Sequence, residues 1–115
     1  MSVHKAKKHF TGRAGRRLHC GQAILEAFKE KFPVPEEIVR QFHGYGAGKA
    51  PEGHCGAFYA ARVLLEKHFP EKLAHFEKTF SELAGSTKCK EIRNARRLSC
   101  LECVEKAGEY LERLK

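Results

Sequence analysis

Gly53-His54-Cys55-Gly56-Ala57-Phe58-Tyr59-Ala60-Ala61 stands between a glycine-rich stretch, residues 43–52, and an apolar run through Val63, Leu64 and Leu65. Phe58, Ala61, Leu64 and Leu65 recur three and four apart, which predicts a helix from His54 to about His68 with one buried face. Cys55 then lies in its first turn. Free backbone N–H groups and the positive end of the helix dipole favour a thiolate there, and thiolate is the form that attacks disulfides and binds metals. Small residues on either side let another backbone, or an inorganic cluster, approach the sulfur. A cysteine at such a junction can also simply be buried, as free cysteines commonly are. The remaining cysteines bear on the choice.

Outward from this stretch the chain reads as helix. Cys20, Ile24, Leu25, Phe28 and Phe32 share a face in a helix from about Arg17 to Lys31, which Pro33 and Pro35 stop. Pro35 opens a short helix, Glu36–Phe42, with Glu36 and Glu37 at its dipole-favoured start. Gly44, Gly46 and Gly48 follow. They fall one residue short of a phosphate-binding loop, alanine follows Lys49, and no strand precedes, so the P-loop reading is rejected. Pro70 begins a helix with the stripe Leu73, Phe76, Phe80 and Leu83, closed by Gly85. Ser86 and Thr87 are cap candidates for a basic helix from Lys90 to about Leu98, with Cys89 in or near its first turn. Ser99 caps a last helix with the stripe Cys100, Val104, Ala107, Leu111 and Leu114. The predicted fold is all-α, a compact bundle of five to six short helices in a single domain: residues 1–17 are a basic N-terminal arm or short helix near Lys5–Phe10, and residues 18–115 form the helical body.

The 115 residues are 42% hydrophobic and 31% charged, a balance that reads as soluble and globular. No apolar run is long enough for a membrane span, and the basic start lacks the apolar core of a secretory signal. A cytoplasmic location is therefore expected. Cytosolic thiols stay reduced, so five cysteines point to metal binding or catalysis rather than a disulfide framework. The net charge of +8 is concentrated in residues 1–17, which carry Lys5, Lys7, Lys8, Arg13, Arg16 and Arg17 and no acid. Such an arm can bind nucleic acid, but no recognition motif in the body supports that, and a solvated basic arm is the expectation.

Cys20, Cys55, Cys89 and Cys100 each lie near a predicted helix start. Converging in a bundle, they make a four-thiol site ringed by positive dipole ends, suited to thiolates and equally to the negative sulfur cage of an iron–sulfur cluster. Cys103 forms Cys-x-x-Cys with Cys100, a single pair without the βαβ context of a thioredoxin-like motif or the second pair of a zinc ribbon. His19 and His54 precede Cys20 and Cys55. Each could tune a thiolate or replace a cysteine as ligand, but neighbouring side chains on a helix point apart, and surface histidines are the simpler expectation.

Gly53-His54-Cys55-Gly56-Ala57, preceded by Gly44-Tyr45-Gly46-Ala47-Gly48, resembles the signature of the redox-active family C_GCAxxG_C_C. Its members carry an early cysteine, a C-G-A-x-x-G motif and two later cysteines. Cys20-Gly21-Gln22-Ala23-Ile24-Leu25-Glu26-Ala27-Phe28 resembles the first cysteine helix, and Gly85-Ser86-Thr87-Lys88-Cys89-Lys90-Glu91-Ile92 the third segment. Cys100, followed by Val104 and Ala107, resembles the fourth, with Cys103 as the alternative counterpart. The likeness covers about residues 10–112. It departs at Ala60, where the motif has its last glycine, a change that should tighten helix packing. A similar cysteine domain accompanies an iron–sulfur centre in split-Soret-type cytochromes, so the resemblance implies a cluster; the chain lacks Cys-x-x-Cys-His and should not attach haem.

The expectation is thus a small redox protein in which Cys20, Cys55, Cys89 and Cys100, or Cys103 in the fourth place, bind an iron–sulfur cluster for electron transfer or sensing. It would exchange electrons with a redox partner protein, with room for a homo-oligomer. Two alternatives stay open. One is a metal-free thiol protein in which Cys55 attacks and Cys20, Cys89 or Cys100 resolves. The other is a basic helical nucleic-acid-binding module using residues 5–17 and 88–97.

Overall fold

The computed structural model describes residues 6–7, 10, 19–42, 53–95 and 97–114, with the side chain of Cys100 also outside the description. Among these residues there are helices, one isolated bridge between His54 and Lys88, and no strand. In chain order the elements are α1 (Cys20–Ala27), α2 (Glu36–Gln41), α3 (Gly56–His68), a 3₁₀ turn (Pro70–Lys72), α4 (Leu73–Ala84), α5 (Cys89–Ala95) and α6 (Cys100–Glu112). Residues 6, 7 and 10 are helical too. The all-α expectation holds. No helix among the described residues is long and apolar enough to cross a membrane. The glycine-rich loop 43–52 and the basic stretch 11–18 lie outside the described residues.

Local chemistry sets the helix ends. His19 caps α1: its Nδ1 accepts from the Gln22 N–H at 3.4 Å while Gln22 Oε1 accepts from the His19 N–H at 3.3 Å. The helix is shorter than the apolar pattern suggests: it begins at Cys20, where the imidazole satisfies first-turn donors, and gives way to turns after Ala27. α6 starts with the reciprocal pair of Ser99 and Glu102, at 3.1 and 2.9 Å. Its far end is held by Lys31, whose Nζ donates to the Leu111 and Glu112 carbonyls at 3.1 and 3.0 Å, placing a cation at the negative pole of the helix. α4 ends at Gly85 with φ +87°, a left-handed conformation that favours glycine.

α3 is the central element, with α1, α4 and α6 packed on it. Phe58, Ala61, Leu64 and Leu65 form its buried face as expected, joined by Ala57 and Ala60. Phe58 stacks on Phe76 at 5.4 Å and 11°, and meets Phe80 at 5.3 Å. Ala60 is fully buried, so the methyl that replaces the motif's glycine fills core space. The stripe of α4 differs from the reading above: Phe76, Phe80 and Ala84 are buried while Leu83 is 45% exposed and Leu73 half-buried. Steps of four residues keep pace with the face turned to α3, whereas the step of three from Phe80 carries Leu83 off it. Near the N-terminus, Ala6 is buried and Lys7 Nζ sits 2.8 Å from Glu105 of α6, so this part of the basic arm is docked on the body rather than solvated.

Candidate functional site

Each of the four helix starts expected to bear a cysteine does so. Cys20, Cys89 and Cys100 are the first residues of α1, α5 and α6, and Cys55 is the N-cap of α3. The glycine after the first of these cysteines explains how α1 and α3 meet. A Cβ on Gly21 would lie 2.7 Å from Phe42 Cδ2 and 3.1 Å from the Gly56 carbonyl oxygen. Only hydrogen at this position lets the start of α1 lie against the start of α3.

That approach brings the sulfurs into a hydrogen-bonded chain. The Cys20 thiol donates to Cys55 and the Cys55 thiol donates to Cys103. The Ala57 N–H donates to the Cys20 sulfur and the Phe58 N–H to the Cys55 sulfur, two first-turn donors of α3 aimed as the helix-start argument expects. The His19 side chain lies beside the Cys20 sulfur, and its Nε2 is paired with the Phe42 carbonyl. For Cys20 and Cys55 the balance nevertheless favours the protonated thiol. Donation to Cys55, followed by burial, pushes Cys20 far above the ordinary thiol range, and His19 and the Ala57 N–H only partly offset this. Donation to Cys103, then burial, pushes Cys55 up to about 12 against the lowering contribution of Cys20. Mutual hydrogen bonding together with burial overrides the dipole.

Cys55 and Cys103, both buried, and Cys89, half-buried, line one cavity of about 360 Å³ together with Ile92, Arg93, Leu98, Ser99 and Glu102. The structure therefore gathers Cys20, Cys55 and Cys103 by contact and sets Cys89 across a shared cavity. Cys103, 1% exposed on the α6 stripe with Val104, Ala107 and Leu111, takes the place beside Cys55; the side chain of Cys100, expected in that role, lies outside the described residues. Among the described residues no group of three or more His, Cys, Asp or Glu side chains could hold a metal ion as placed. The thiols border a volume rather than converge on a point.

The histidines before the cysteines are built into the fold, not surface residues. His54 is 7% exposed, with its ring 5.2 Å from Phe58 and 6.3 Å from Tyr59 and its Nδ1 hydrogen-bonded to Thr87 Oγ1 at 3.2 Å. Burial in an aromatic clamp fixes the ring. Thr87 also accepts the Cys55 N–H on its carbonyl at 2.8 Å. It links the segment bearing Cys89 to the N-cap of α3, a role that its cap-like sequence context does not disclose. No curated protein and no solved structure matches this chain. The family comparison does return a match, to the model described as "Putative redox-active protein (C_GCAxxG_C_C)" over residues 18–114, a span that takes in every cysteine and every helix labelled above, and the chain belongs to that family.

Proposed function

We propose that this chain is a small redox protein whose Cys20, Cys55, Cys89 and Cys103 hold an iron–sulfur cluster for electron transfer or sensing. The observation that carries the reading is the cavity walled by Cys55, Cys89 and Cys103, with Cys20 hydrogen-bonded behind Cys55. An all-sulfur donor set is soft and suits iron–sulfur clusters, zinc or copper(I). Sulfurs spread around a volume favour a multi-atom cluster over a single ion. When bound, the cluster supplies a one-electron couple whose potential follows hydrogen bonds to sulfur and solvent access. The chain's own part is to present four sulfurs, give up their protons on loading, and direct the Ala57 and Phe58 N–H groups at two of them. Leu98 and Ile92 keep the cavity wall apolar. The test is the visible spectrum with iron and sulfide analysis of protein purified without oxygen. A colourless protein that takes up neither element on reconstitution sinks the proposal.

A second reading is favoured by the direct Cys20–Cys55 contact. Those two thiols would lose two protons and two electrons to an external disulfide, forming one intramolecular disulfide and releasing two thiols. The protonation state weighs against it: hydrogen bonding to Cys103 and burial push Cys55 up to about 12, which disfavours the thiolate at neutral pH, and thiolate is the attacking form. Catalytic dithiol–disulfide turnover by iron-free protein would establish this reading in place of the first. Either chemistry works in a reducing compartment such as the cytoplasm, where the thiols stay available.

A further inference from the structure

The cavity opens beside a predominantly basic surface. Residues 86–99 carry Lys88, Lys90, Arg93, Arg96 and Arg97 against the single acid Glu91. Lys88, Lys90, Arg93 and Arg97 are exposed along α5 and the turn after it, and Arg93 lines the cavity. Cys89, the half-buried thiol of the cavity wall, sits between Lys88 and Lys90. The carboxylates nearby are engaged within the fold. Glu91 Oε1 accepts from Ser86 Oγ at 3.2 Å, and Glu102 Oε1 accepts from the Ser99 N–H at 2.9 Å. Arg97 donates to the Glu82 carbonyl, a neutral acceptor that leaves its charge uncompensated. Elsewhere Lys7, Lys29, Arg62 and Lys106 have carboxylate partners, whereas no ion pair among the described residues engages Lys88 or Lys90.

We infer that α5 and its flanks dock an acidic redox protein, one with a carboxylate-rich rim around its own redox group, seated over Cys89. The inference rests on the reading of the thiols as a redox centre. A positive rim steers such a partner to Cys89, a half-exposed sulfur on the cavity wall, and like charge turns basic proteins away. The exchange is balanced by a single electron lost from one centre and gained by the other, with no bond made or broken. Charge complementarity alone would also suit a nucleic acid. The patch, however, spans one seven-residue helix and its flanks and surrounds a sulfur centre, and nucleic-acid backbones offer that centre nothing to oxidise or reduce.

The full chain, labelled with ¹⁵N, is titrated with flavodoxin as the acidic probe and cytochrome c as the basic control, at low and at physiological ionic strength. Amide shifts should cluster in residues 88–99 with flavodoxin only. The affinity should fall about tenfold or more when Lys88→Glu and Lys90→Glu are combined, and similarly when salt is raised. The exposed control pair Lys67→Glu and Lys72→Glu should bind as the parent does. No flavodoxin binding at low salt, shifts centred elsewhere, equal binding of cytochrome c, or tighter binding of an RNA oligonucleotide at the same salt would each overturn the inference. Apoprotein and iron-loaded protein are titrated separately, with iron and sulfide measured on each. A chain that loads iron but ignores flavodoxin loses the docking surface alone, and one that docks flavodoxin but loads no iron loses the cluster alone.

Discussion

The backbone N–H of Cys55 donates to the carbonyl oxygen of Thr87 at 2.8 Å, and the Thr87 hydroxyl is hydrogen-bonded to His54 Nδ1 at 3.2 Å. One residue thus clasps both His54 and Cys55, two positions before Cys89. Thr87→Val keeps the shape and the backbone bond but removes the hydroxyl that pairs with His54 Nδ1. The expected cost is about 1–3 kcal/mol, read as a lower urea midpoint, with faster alkylation of Cys89 as its segment loosens. An unchanged midpoint and labelling rate would show that the clasp is incidental.

Gly21→Ala tests the close approach of α1 and α3. Its Cβ would meet Phe42 Cδ2 at 2.7 Å and the Gly56 carbonyl at 3.1 Å, and the carbonyl has little room to yield. Overpacking of this kind costs about 1–3 kcal/mol. It should also part Cys20 from Cys55. Mild oxidation of the parent apoprotein is expected to give a Cys20–Cys55 disulfide, mapped by mass spectrometry, in a yield that falls clearly in the variant.

Cys103→Ser should cut iron and sulfide retained after anaerobic reconstitution to less than half, because Cys103 receives the hydrogen bond of Cys55 and lines the cavity. Cys100→Ser is expected to retain both. If the two variants exchange behaviour, the fourth sulfur is Cys100.

The apoprotein should lose stability in alkali. Cys20 and Cys55 are raised above the ordinary thiol value of 9.0, so the folded chain holds protons that the unfolded chain releases. This contribution is complete below pH 9 and is lost as pH climbs toward the folded value of about 12 for Cys55. Denaturation midpoints measured from pH 8 upward should fall in the parent and fall less steeply in Cys20→Ser.

The helices and the thiol-bearing helix starts were legible because they rest on short-range rules. Phe58, Ala61, Leu64 and Leu65 announce a face by spacing alone, and Ser99 with Glu102 announces a helix start. The burial of Cys103 was not legible. Cys100 and Cys103 both lie three or four residues from Val104 or Ala107, and only the packing of α6 against its neighbours shows how deep Cys103 sits. His54 looked like a surface residue because its partner, Thr87, belongs to a different helix junction. Leu83 and Ala84 exchanged roles for a similar reason: the face that matters is set by α3, not by α4's own pattern.

The hydrogen-bonded chain from Cys20 through Cys55 to Cys103 joins the first labelled helix to the last. During synthesis the first two thiols leave the ribosome well before the third exists. Until α6 is made, Cys55 has no Cys103 to accept its hydrogen bond. The nascent chain is therefore the stage most open to a premature Cys20–Cys55 bond, and the sulfur site cannot be completed before the last labelled helix has been made.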